Sequence, residues 1–383
     1  SVFTGFMRKP MVVITASVLF CSSIFMSSSE AATKIVVNPI PITLPVKPVG
    51  SITFANIEQH VSEVPAAAYK ALQDVYAANA QPAIPTNVLL GPNTKLPINL
   101  PETFKKIQKL WSGFRQPVTY NALVYTFTDK AWALKADAKV PVVVENGGTK
   151  GQASMSSVIA QCAADNCGLA NSGISNAKGN GYGQFQIMES QWDPNGWASK
   201  GSVFGHEYTH SVQAAQFLGN ANVGKPVSQE RQKYGLDSTP SGLFQGVLPC
   251  WMTEGMAQFN GPAVMAPTFD FYMKWRGSQA MAKEVPSFTD YSAKSLQNFF
   301  MSGTPPKCLP PAPVYEMGRT TGALAIEALA AIAGPQASMA VVTLMGRGQS
   351  YETAFKNVYG ISWTEAAPII ARVVAAEYAA SSK

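Results

Sequence analysis

Histidine is the scarcest chemically informative residue here, with three in a chain of 383. Charge is scarce too: Lys, Arg, Asp and Glu make up 14% of the residues, against roughly a quarter in ordinary soluble domains. In a soluble chain such a surface fits export better than a salt-bridged cytosolic life. The net charge of +6 is mild and scattered. No basic run interleaved with aromatics occurs, which argues against a nucleic-acid partner. No apolar run reaches the roughly 20 residues of a spanning helix, so stable membrane insertion is not expected. No internal repeat is present. What remains is 46% hydrophobic sequence, enough for a sizeable core and, by length, for two lobes.

The start of the chain has the pattern of an export signal. Arg8 and Lys9 precede an apolar stretch over 11–26, followed by small residues through Ser29, Ala31 and Ala32. A short positive region, an apolar region and a small-residue cleavage site read as a secretory signal over 1–32. The expected location is therefore extracellular or periplasmic. Of the five cysteines, Cys21 leaves with the signal, and Cys162, Cys167, Cys250 and Cys308 remain. An even number in an exported chain reads as disulfides. The short turn between Cys162 and Cys167 favours that local pair, leaving Cys250 with Cys308. Neither pair has the C-x2-C spacing of a zinc site.

Between these markers the chain divides into a Pro-rich segment over 33–100 of open role, a mixed α/β lobe over 101–200 and a helical lobe over 201–383. Pro39, Pro41, Pro45 and Pro48 make 34–50 an extended strap or linker. A helix is expected over 57–79 with a break at Pro65. A Pro-rich passage over 82–101 then leads into a helix over 102–111, whose Phe104, Ile107, Leu110 and Trp111 form an apolar stripe. A strand over 118–127, a helix over 129–138 and a strand over 140–145 follow. The Gly-, Ser- and Asn-rich stretch 146–180 reads as a loop, and 182–188 as a strand.

Two of the three histidines stand four apart, in His206-Glu207-Tyr208-Thr209-His210. On a helix that spacing puts both imidazoles on one face, within reach of one metal ion. Glu207, displaced by about 100°, can hold the water that the ion activates and act as general base. Chance placement of so few histidines gives the pattern about once in a thousand such chains. The helix has apolar faces in Val203, Phe204, Val212, Ala214, Ala215 and Phe217, and a natural stop at Gly219. Metzincins need Gly and His where this chain has Gln213 and Gln216. His60 stands alone upstream and reads as a surface or partly buried residue. The segment 249–259 instead offers Glu254 as a third ligand, with Gly255 and Ala257 keeping its helix slim. The chemistry calls for one Zn2+ held by His206, His210 and Glu254.

On GHEYTH and WMTEGMAQF the chain resembles the gluzincin zinc metallopeptidases. The tail, VYEMGRTTGALAIEALAAIAG and YETAFKNVYGIS, is similar to peptidase-MA-like bacterial secreted proteins. The resemblance covers about 180–375. It implies an α+β, thermolysin-like zincin fold, with a mixed strand and helix N-terminal lobe and a mainly helical C-terminal one. It also implies hydrolysis of peptide or protein substrates. Tyr315 is the candidate oxyanion donor, with Arg319 one turn on as its alternate, and the strand at 182–188 resembles the family's peptide-binding edge strand. Two other readings stay open at this stage: a secreted, non-catalytic surface protein with a structural zinc, and a zinc hydrolase of a non-peptide amide.

Overall fold

The computed structural model describes residues 38–137, 162–174, 176–188, 200–233, 236–283, 285–302 and 313–381. The signal-like segment, the strand expected over 140–145 and Cys308 lie outside the described residues. Within them the protein is α+β, with four strands in one mixed sheet, β1 (Thr86–Leu90), β2 (Thr119–Thr126), β3 (Leu169–Ile174) and β4 (Asn180–Ile187). The helices are α1 (Val64–Ala78), α2 (Leu100–Leu110), α3 (Lys130–Asp137), α4 (Ser202–Ala215), α5 (Gln229–Lys233), α6 (Pro240–Gln245) and α7 (Cys250–Met265). They continue with α8 (Phe269–Gln279), α9 (Ala293–Ser302), α10 (Pro313–Arg319), α11 (Thr321–Ala333), α12 (Gln336–Gly346), α13 (Tyr351–Tyr359) and α14 (Trp363–Ser381).

The strand order is β1-β2-β4-β3, with β1, β2 and β4 parallel and β3 antiparallel to β4. Parallel strands are covered on both faces, and β2 follows that rule. Its Tyr120, Ala122 and Val124 join the main core, while Leu123 and Tyr125 pack with Ala133 and Ala136 of α3 on the other face. The main core runs without a break from the sheet into the helices, from Phe104 and Phe185 to Trp251, Leu329 and Val374. Trp251 stacks on Trp363 with ring centroids 4.9 Å apart.

Several elements depart from the sequence expectation. The 146–180 stretch is not all loop, because it contains β3, whose Asn, Ser and Gly are poor strand formers. Pairing with β4 overrides that preference, reinforced by the Ser172 hydroxyl, which bonds to the Tyr182 carbonyl and meets Tyr120 Oη. The strand expected over 182–188 exists as β4 but is interior, flanked by β2 and β3. The edges are β1 and β3, so the expectation of a peptide-binding edge at 182–188 fails on topology. The Pro-rich passage 82–101 contains β1, which sequence reading missed. The break expected at Pro65 is present: two short 3-10 turns, Ile57–Gln59 and Val61–Glu63, precede α1, and Pro65 occupies its first turn, where its missing N–H costs nothing.

The strap over 38–50 lies across the helices. Val46 N donates to Val358 O at 2.8 Å and Val49 N to Ile332 O at 2.9 Å. Asn38, fully buried, donates to Gln216 O and accepts from Arg347. Cys162 and Cys167 form the expected local disulfide, with Cα atoms 5.4 Å apart. Cys250 is also disulfide-bonded. Among the described residues no single helix is long and apolar enough to cross a membrane. Only a pair bent by 102°, Tyr315–Ala333 with Gln336–Gly346, passes on length and composition, and its second helix and α11 are buried in the core.

Three helices meet at a buried ionic cluster. Arg276 of α8 contacts Glu327 of α11 at 2.8 and 2.9 Å and Glu377 of α14 at 3.0 Å, and Tyr272 donates to Glu327. One cation faces two carboxyls. Burial pushes the Glu377 carboxyl well above the usual range; Arg276 opposes that and Glu327 adds to it. A raised carboxyl keeps its proton in the folded state while the unfolded chain loses it above about pH 4.3. Stability therefore falls as pH rises from there toward the folded pKa. The neutral variant Glu377→Gln lacks this loss, so its melting temperature should gain on the wild type as the pH rises from 5 toward the folded pKa. A constant difference across that range, read by thermal denaturation, contradicts the assignment.

Candidate metal centre

The site is built where α4 crosses α7. Phe204 and Tyr208, four apart, bind α4 to the sheet, with centroids 4.8 Å from Phe185 and from Tyr120 respectively. His206 and His210 are offset by two positions, about 200° around the helix, and so face away from the sheet toward α7. The two helices touch backbone to backbone. A Cβ on Gly205 would stand 2.9 Å from Gly261 Cα, and one on Gly261 would strike His206 N. Gly255 does keep α7 slim, but toward α11, where a Cβ would meet Gly322 O. Thr209 anchors the far side of α4 by accepting from Trp111 Nε1 at 3.2 Å.

This crossing brings the three expected ligands together. His206 Nε2 lies 3.3 Å from His210 Nε2, and Glu254 offers Oε2 to the first and Oε1 to the second, each at 3.5 Å. A tetrahedral site with bonds of about 2.0–2.1 Å has ligand edges of about 3.3–3.4 Å. The separations are those of three ligands around one ion. Glu207 stands beside them, its Oε1 3.8 Å from His206 Nε2.

The ring nitrogens turned away from this centre are fixed by two glutamines that the sequence reading had not assigned to the site. Gln213 Nε2 donates to Thr253 O at 3.0 Å, which leaves its Oε1 to accept from His210 Nδ1 at 2.8 Å. Gln258 Oε1 meets His206 Nδ1 at 2.5 Å. With both Nδ1 atoms donating outward, both Nε2 lone pairs point at the Glu254 carboxylate. Glu254 Oε2 has no hydrogen-bond partner. Three buried acceptors converging on one point repel one another unless a cation lies between them, so the donor set fits a divalent ion. Positions help to explain the two glutamines: Gln213 is one turn after His210 and Gln258 one turn after Glu254.

With no ion between them, the same groups are compensated by protons on the imidazoles instead. Burial opposes ionisation of Glu254, but the positive charges of His210 and His206 in that state hold its carboxyl far below the usual range. Burial lowers the His210 pKa, and Glu254 and Glu207 more than reverse this, raising it to about 9. Burial raises Glu207, offset in part by the two histidines.

A narrow cleft is lined by His206, Glu207, Gln258, Pro262, Trp275 and Gln279 together with Tyr315 and Arg319. Tyr315 and Arg319, both expected from the sequence, thus line the same cleft as Glu207 and one of the three candidate ligands, His206. Trp275 and Gln279 come from α8, where no motif announced them. His60 is not among the three ligands and pairs with Glu63 on the surface. Compared with protein-family models, curated proteins and solved structures, the chain finds no match.

Two outcomes follow for titration with Zn2+ against a chromophoric chelator. Binding must displace the His210 proton, so apparent affinity should rise about tenfold per pH unit from 7 to 9 and level off above; a flat profile contradicts the raised His210 pKa. Gln213→Leu and Gln258→Leu should each weaken binding by about 10–100-fold, with helical circular dichroism unchanged.

Proposed function

We propose that this protein is an exported, zincin-type peptidase that uses one zinc ion held by His206, His210 and Glu254. The observation that carries the reading is the 3.3–3.5 Å convergence of three side chains, through the two Nε2 atoms and the two oxygens of Glu254, with a further carboxylate, Glu207, beside them. A zinc ion bound there supplies a Lewis acid that acidifies water and polarises a carbonyl. The remaining work falls to the chain. Glu207, buried and with its pKa raised, removes a proton from the attacking water and delivers it to the leaving amine. Tyr315, on the cleft wall, donates its hydroxyl to the oxygen on which charge develops. Gln213 and Gln258 hold the ligand imidazoles in one tautomer throughout. The signal-like start and the Cys162–Cys167 disulfide support export, since such bonds persist in oxidising compartments.

Glu207→Gln should bind zinc with full stoichiometry yet lose about 10²–10⁴-fold in turnover of a mixed peptide library. Tyr315→Phe should lower kcat by about 10²–10³-fold with KM little changed. A chelator should abolish cleavage and added zinc restore it. Wild-type turnover in the Glu207→Gln protein sinks the mechanism, and no cleavage of any peptide by the zinc-loaded wild type sinks the activity.

A further inference from the structure

The cleft holds a cation whose hydrogen-bonding capacity is only partly used. Arg319 is 6% exposed. Its Nε and Nη2 both donate to a single oxygen, Oε2 of Glu316, at 3.3 and 3.1 Å. A guanidinium carries five N–H donors in a planar fork, and among the described residues nothing takes up Nη1. Glu316 is one turn back on the same helix with its side chain 29% exposed, so the anion sits on the solvent side of the pair while the guanidinium lines the cleft. Tyr315, four residues before Arg319, lines the same cleft, as expected for the i and i+4 face of one helix. Trp275, Pro262 and Val203 supply its apolar wall.

A buried cation with an open donor edge is best compensated by an incoming acceptor that bears the opposite charge. The planar fork matches a carboxylate better than a lone carbonyl oxygen. We propose that Arg319 anchors the substrate by its carboxylate, so that this cleft selects peptides with a carboxylate close to the bond that is cut. The proposal rests on the cleft being a peptide site, and it gives Arg319 a binding role in place of the oxyanion role open to it from sequence. The carboxylate is either the C-terminal one or that of an Asp or Glu side chain; the chemistry at Arg319 is the same.

Binding by zinc-loaded Glu207→Gln protein, measured by calorimetry, tests this without requiring turnover. The probes are a blocked tetra-alanine peptide with a free C-terminal carboxylate, its C-terminal amide, and two amidated peptides differing by Asp against Asn at one position. We expect a preference of about tenfold or more for a carboxylate-bearing peptide, lost in Glu207→Gln/Arg319→Gln and partly kept in Glu207→Gln/Arg319→Lys. Preference for the free acid over the amide assigns the C-terminal carboxylate, and preference for Asp over Asn assigns the side chain. Zinc stoichiometry and melting temperature serve as folding controls for each variant. Equal binding of charged and neutral peptides, no binding of any, or a preference that survives Arg319→Gln overturns the proposal. Hydrolysis of the same peptides by the wild type reports separately on the peptidase reading, so the two can fail independently.

Discussion

The contact between Gly205 and Gly261 is what allows the rest of the site to exist. Two imidazoles on one helix and a carboxylate on another can share an ion only if the helix axes come nearer than ordinary side chains permit, and here bare backbone meets bare backbone. The sheet holds α4 from behind through Phe204 and Tyr208, and α11 holds α7 from behind at Gly255 and Gly322. The candidate metal centre is thus clamped between two packed layers, and its geometry is set by main-chain contact more than by the flexible side chains that line it.

Electrostatic economy follows from the same closeness. The centre has one carboxylate among its three candidate ligands, and both imidazoles are oriented by neutral amides instead of further carboxylates. An ion there keeps more of its positive charge than it would among several anions. A second buried cluster, around Arg276, differs: two carboxyls share one guanidinium, and burial together with the Glu327 charge pushes Glu377 toward its neutral form. That cluster joins α8, which carries Trp275 and Gln279 into the cleft, to α11 and α14 and so seats this part of the cleft lining firmly.

The sequence made legible the parts whose chemistry is local. His206, Glu207 and His210 lie within one turn and a half of helix, so their spacing alone placed them on one face. Glu254 was reachable because no histidine remained to complete the set. Tyr315 and Arg319 came from the resemblance of the tail. Parts that depend on partners far away in the chain were hidden. β1 sits among prolines and β3 among Gly, Ser and Asn, and each is a strand because a neighbour pairs with it. Gln213 was visible only as a residue that excluded another family, since its role depends on Thr253, 40 positions later. Trp275 reaches the cleft through tertiary packing that leaves no periodic trace.

The strap has a consequence for the order in which the molecule is made. Asn38 binds the end of the site helix at Gln216 and is gripped by Arg347, and the residues just after it pair with Ile332 and Val358. The first part of the strap to be synthesised therefore waits for some of the last, and these contacts are among the most non-local in the fold. Closure of such long loops is slow, so the helix bearing both histidines receives its final brace only once nearly the whole chain has emerged.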